Sequence, residues 1–77
     1  MSEVTELDAR RLLCPMPVIR LQDCLSKREP GAKVRITCTD PGTMSDIPAW
    51  CRINDHTLLE CDQQDHQISF LIQKSSV

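Results

Sequence analysis

Two six-residue stretches, VRITCT (34–39) and QISFLI (67–72), alternate apolar and polar side chains with a period of two. In the first, Val34, Ile36 and Cys38 share a face opposite Arg35, Thr37 and Thr39. In the second, Ile68, Phe70 and Ile72 do the same. Strands with this alternation bury one face and leave the other wet, so the chain must supply cover for one side of a sheet only. Two helical stretches offer it. From Pro15 to about Lys27, Val18, Leu21 and Leu25 recur at i, i+3 and i+7, and E-P-G at 29–31 ends the pattern. After a D-P-G turn at 40–42, T-M-S-D at 43–46 has capping-box spacing, with aspartate in place of the usual glutamate. Ile47, Trp50, Cys51 and Asn54 then fall on one helical face. Pro48 fits that helix best in its first turn, and Asn54-Asp55 suits a left-handed stop. Two weaker strands complete the set: a short one around Thr5 to Asp8 with Leu7 inward, and TLLECD (57–62) with Leu59 and Cys61 inward. The order β-α-β-α-β-β implies a two-layer α/β sandwich with both helices on one sheet face.

With 77 residues the chain is expected to form one domain, 1–77, with a modest core. A formal net charge of −2 and a sequence pI near 5.5 argue against non-specific binding to nucleic acid or to an anionic membrane. One tryptophan, one phenylalanine and no tyrosine leave little for stacking bases. No direct nucleic-acid partner and no membrane contact are therefore expected. The opening MSEVTELDAR is acidic and lacks an apolar run, which points to the cytosol, where thiols stay reduced. The five cysteines lie ten or more residues apart, without a C-x-x-C pair, and His56 and His66 follow no finger-like spacing. Neither a metal nor a cofactor is expected.

One cysteine stands apart. In LLCPMPVIRL (12–21), Cys14 precedes Pro15 and Pro17 at the start of the first helical pattern, which puts it at the N-cap or one residue before it. Prolines suit a first turn, whose amide groups lack intrahelical partners. Serine, threonine, asparagine or aspartate would cap better, so stability alone does not ask for cysteine here. The positive end of the helix dipole favours thiolate over thiol, and Arg10 and Arg11 upstream add to that field. On these residues alone, a reactive thiolate and an ordinary loop-to-helix junction both remain open.

The ordered set L-D (7–8), L-x-C-P-x-P (12–17), E-P-G (29–31), T-D-P-G (39–42), D-I-P-A-W-C (46–51), H-x-L-L (56–59) and F-L-I (70–72) resembles the TusA/SirA-like sulfur-carrier proteins. The resemblance spans nearly the whole chain. It implies a β-α-β-α-β-β fold with a mixed four-stranded sheet, and no stand-alone turnover enzyme but a sulfurtransferase-type carrier. Cys14 is then the persulfide-bearing thiolate, with Pro15 and Pro17 as its scaffold. A cysteine desulfurase or rhodanese-like protein would donate the sulfur. A downstream acceptor protein would take it on toward tRNA thiolation, cofactor synthesis or sulfur oxidation. Two positions depart from the family: Arg11 stands where glycine is usual, and Asp55 replaces the glycine before the histidine. Glycine at the first position permits a positive φ, so Arg11 implies either a different loop or a distinct partner surface.

The remaining candidates read as structural. Cys24 lies at the margin of the first helical stripe, Cys38 and Cys61 on inward strand positions, and Cys51 on the inner face of the second helix. His56 reads as a turn residue, and Asp40 and Asp46 as turn and cap residues. Met16 and Ile19 point away from the sheet on a helical wheel, with Arg20 on the same side, and these three form a candidate docking patch beside Cys14. The chain is expected to be a monomer when alone. A thiol-redox protein using Cys14, and an RNA- or protein-binding module of the same fold, are the alternative functions.

Overall fold

The computed structural model describes residues 4–13 and 15–75. Its elements are β1 (Val4–Ala9), α1 (Met16–Ser26), β2 (Lys33–Cys38), α2 (Thr43–Ile53), β3 (Thr57–Gln64) and β4 (Gln67–Gln73). The four strands form one mixed sheet in the order β1-β2-β4-β3, with β1 and β2 parallel and the other pairs antiparallel. The α1 connection between β1 and β2 is the crossover that parallel neighbours require. Both helices and the four-stranded sheet thus agree with the two-layer reading.

Register explains the core. Leu7 pairs with Ile36, which pairs with Phe70, and Phe70 pairs with Cys61. Val34, Ile36, Cys38, Ile68, Phe70 and Ile72 are buried from the two central strands, and Leu21, Leu25, Ile47 and Cys51 close over them from the helices. Leu21 and Leu25 are anchors of α1, each contributing about 1.5–3 kcal/mol by leaving water. Val18, Cys24, Trp50 and Leu58 pack around this cluster. On the open face Leu71 is nonetheless only 9% exposed. Arg35 lies opposite it on β2 and Glu60 on β3, and the Arg35 guanidinium reaches both Ser69 Oγ (3.2 Å) and Glu60 Oε2 (3.4 Å).

Four sequence expectations are corrected. Leu59 does not point into the core: the β3 register shifts between Leu58 and Glu60, so Leu58 pairs with Ile72 and packs inward while Leu59 is 41% exposed. This extra residue resets the alternation, as a bulge does. Cys61 does share the register of Phe70 and lies 3.9 Å from Met44 Sδ of α2, yet on the edge strand β3 it is exposed rather than part of the core. The capping box at 43–46 does not form. The N-cap is Gly42, whose N–H is held by Asp40 Oδ1 (3.1 Å), while the buried Thr43 hydroxyl donates to the Asp40 carbonyl (2.7 Å). That earlier start places Pro48 inside α2 rather than in its first turn. Proline there has no N–H for the Met44 carbonyl four residues back.

The far end of α2 agrees with the sequence. Asn54 is the C-cap, Asp55 follows at φ 61°, the His56 N–H reaches the Cys51 carbonyl (2.9 Å), and the Asp55 N–H reaches the Arg52 carbonyl (3.3 Å). These two bonds are the Schellman pattern. Asn54 itself is exposed and its side-chain amide donates to the Trp50 carbonyl (2.9 Å), so it ends the helix rather than extending the inner face. After α1, Gly31 takes φ 88° in the E-P-G break, and its N–H bonds to the Lys74 carbonyl (3.1 Å), tying the turn to the end of β4.

Candidate functional site

The parallel strands β1 and β2 end together, at Ala9 opposite Cys38, and each feeds the N-terminus of a helix. This end of the sheet gathers the residues on either side of the sequence-predicted Cys14. Cys14 itself lies outside the described residues; its neighbours can be followed. The Leu12 N–H returns to the Ala9 carbonyl (3.3 Å), the Arg11 N–H donates to Thr39 Oγ1 (2.9 Å), and the Met16 N–H donates to the Leu13 carbonyl (2.9 Å). The N-cap of α1 is Pro15, whose side chain makes no capping hydrogen bond, and the first turn holds no acidic residue.

The two prolines differ in role. Pro17 is buried in the second position of α1, and the Pro15 carbonyl accepts the Ile19 N–H at 3.2 Å. Proline at these positions fixes φ and removes amides that have no intrahelical partner. The outward side of α1 is as the helical wheel indicates: Met16 is 39% and Ile19 49% exposed, and Arg20 is exposed as well. Leu13, which precedes Cys14 in the sequence, is a further exposed apolar residue, at 74%. Sequence reasoning missed it because Leu13 precedes the helical period, although a leucine there follows a half-buried Leu12 with no strand or helix to turn it inward.

Arg11 takes φ 69°, the left-handed region where glycine is at ease. Arg11 thus takes the positive φ that a glycine would permit, at a cost of about 1–2 kcal/mol for an L-residue. Its neighbour Arg10 grips Asp8, with Nε at 2.9 Å and the backbone N–H at 3.0 Å from one carboxylate oxygen, and a terminal nitrogen at 3.1 Å from the other. Those bonds hold the Asp8 carboxyl down at about 2. Asp8, Arg10, Arg11, Thr39 and Gln67 line a shallow groove at this end of the sheet.

The other cysteines fall into two kinds. Burial pushes the Cys38 and Cys51 thiols up to about 11, so both are neutral thiols at physiological pH. Cys24 packs against the core, and Cys61 is the exposed exception. Among the described residues no group of three or more histidine, cysteine or acidic side chains could hold a metal ion. His56 is held structurally: its Nδ1 accepts the Ser75 N–H (2.9 Å) and its ring lies 5.0 Å from that of Trp50. Burial and the Lys74 ammonium lower its pKa.

The sequence model of the family described as Sulfurtransferase TusA matches residues 5–74, a span that contains the whole C-P-x-P segment. The chain belongs to the TusA family. A putative sulfur carrier protein, YrkI of Bacillus subtilis, is 37% identical over 88% of this chain and 91% of its own. The sulfur carrier protein TusA of Pseudomonas fluorescens is 38% identical over 92% of this chain and 86% of its own. TusA of Allochromatium vinosum is 34% identical over 91% and 92% of the two chains. In structure, a SirA-like protein from Desulfitobacterium hafniense superposes with a TM-score of 0.81, covering 95% of this TusA-family chain and 99% of that one, at 21% identity. That last likeness bears on the fold. No helix among the described residues is long and apolar enough to cross a membrane.

Proposed function

We propose that this TusA-family chain is a sulfur carrier that takes up sulfane sulfur as a persulfide on Cys14 and passes it to an acceptor. The observation that carries the reading is identity of 34–38% to sulfur carriers across about nine-tenths of the chain, C-P-x-P segment included. The chemistry is exchange at sulfur. The Cys14 thiolate attacks the terminal sulfur of a donor persulfide, a new S–S bond forms, the donor's S–S bond breaks, and the donor leaves as a thiolate. Electrons balance without a metal, a cofactor or an external oxidant. Release to the acceptor repeats the step with roles exchanged, so the domain needs access and a fixed backbone more than an active-site cavity. Pro15 and Pro17 serve as the scaffold.

The partners on this reading are a cysteine desulfurase or rhodanese-like donor and a downstream acceptor protein, met through Met16, Ile19 and Arg20. Their exposure beside the motif supports this role. Incubation with a cysteine desulfurase and L-cysteine, followed by mass spectrometry of the Cys14 peptide, tests the function. One added sulfur atom on that peptide is the expected result. A sulfenate or an inter-cysteine disulfide instead would mark a thiol-redox protein.

A further inference from the structure

Arg11 combines two features that stability does not explain. It is a long-side-chain residue in left-handed backbone, at φ 69°, and its guanidinium makes no hydrogen bond or ion pair among the described residues. The one carboxylate in its groove, Asp8, already has both oxygens engaged by Arg10. The backbone is nevertheless pinned by the Arg11 N–H to Thr39 Oγ1 (2.9 Å), so the exposed side chain issues from a fixed root. Strained backbone persists only where the surrounding structure over-determines it, and such residues cluster at functional sites.

We propose that Arg11 is a specificity-determining residue that reads a carboxylate-rich segment on the protein that meets the Cys14 segment. The charge in the groove favours an anion, since the Asp8–Arg10 pair cancels and leaves Arg11 in excess, with Thr39 and Gln67 as neutral hydrogen-bonding neighbours. A planar guanidinium suits carboxylates. A protein rather than a nucleic acid is favoured because the surface beyond Arg11 is aliphatic: Leu13, Met16 and Ile19 are exposed, whereas the one tryptophan packs against the core beside His56. That the partner is a sulfur donor or acceptor rests on the carrier reading; the contact does not.

Titration of the isotope-labelled protein with an octaglutamate peptide, followed by amide NMR shifts, tests the contact without sulfur chemistry. Shifts should centre on Arg10, Arg11, Leu12 and Thr39 and vanish in high salt. Arg11→Gly, which relieves the backbone, should weaken binding about 2- to 5-fold, the range of one exposed charge pair, while Arg11→Lys retains most of it. Equal binding by Arg11→Gly and the parent chain, or peptide shifts located elsewhere, would overturn the proposal. So would stronger perturbation of the same amides by an oligouridylate of equal charge. Failure of sulfur loading with peptide binding intact would sink the carrier reading alone.

Discussion

Asp55 and Arg11 occupy the same left-handed backbone region with unequal justification. Asp55 ends α2 in a Schellman turn, where a short polar side chain is tolerated. Arg11 has no such excuse, so Arg11→Gly should raise stability by about 0.5–1 kcal/mol, net of the entropy that glycine adds to the unfolded chain. Chemical denaturation reads this directly, and a loss of stability would show that the side chain packs. Cysteine substitutions separate burial from exposure. Cys38→Ser places a hydroxyl in a fully buried strand position and should cost about 1–3 kcal/mol. Cys61→Ser, on the exposed edge, should stay within about 0.5 kcal/mol. Equal melting temperatures for the two variants would contradict the assigned packing. His56 gives a pH signature. Its neutral ring accepts the Ser75 N–H, and burial and Lys74 depress its pKa below the ordinary value near 6.5. The unfolded chain therefore takes up the proton first as pH falls. The stability that neutral His56 confers is complete above about pH 6.5 and is lost as pH drops from there through the folded pKa. His56→Asn keeps an acceptor and does not titrate, so its melting temperature should fall less between pH 7 and 5 than that of the parent chain. Identical slopes would remove His56 from the pH response.

At the scale of elements, legibility in the sequence followed the physics of each strand and helix. β2 and β4 were readable because they are central, with one face under helices and the other, Leu71 apart, partly open, so hydrophobic alternation marks the buried face. β3 was misread at Leu59 because a bulge shifts register without changing composition, and at Cys61 because alternation reports a face but not whether anything covers it. The α2 start was displaced because the Asp40-Pro41-Gly42 turn ends in helical backbone at Gly42, φ −59° and ψ −23°, which lets the helix begin before Thr43 can act as a cap. The outward side of α1 was legible since Val18, Leu21 and Leu25 define the opposite stripe. If that outward side receives the donor, Ile19→Glu should leave stability within about 0.5 kcal/mol. Cys14 alkylation should keep its rate while sulfur uptake from a cysteine desulfurase slows. Unchanged uptake kinetics would exclude this strip from docking.

For the whole molecule, the arrangement is a scaffold that brings the ends of two parallel strands and the starts of two helices to one edge, with the Cys14 segment spanning from β1 to α1. Family membership and the two-layer fold were legible as an ordered set of motifs, because turns, prolines and inward residues together constrain topology. The conformation of Arg11 was not, since a positive φ leaves no mark on a non-glycine residue. On the proposed function, one cysteine of the five, Cys14, carries the sulfur. The most direct measurement is intact-protein mass spectrometry of the parent chain, Cys14→Ser and Cys61→Ser after incubation with a cysteine desulfurase and L-cysteine. The parent and Cys61→Ser should each gain one sulfur atom that a thiol reductant removes, and Cys14→Ser should gain none. A Cys14→Ser chain that still acquires sulfur, or a Cys61→Ser chain that does not, would show that Cys14 is not the carrier cysteine.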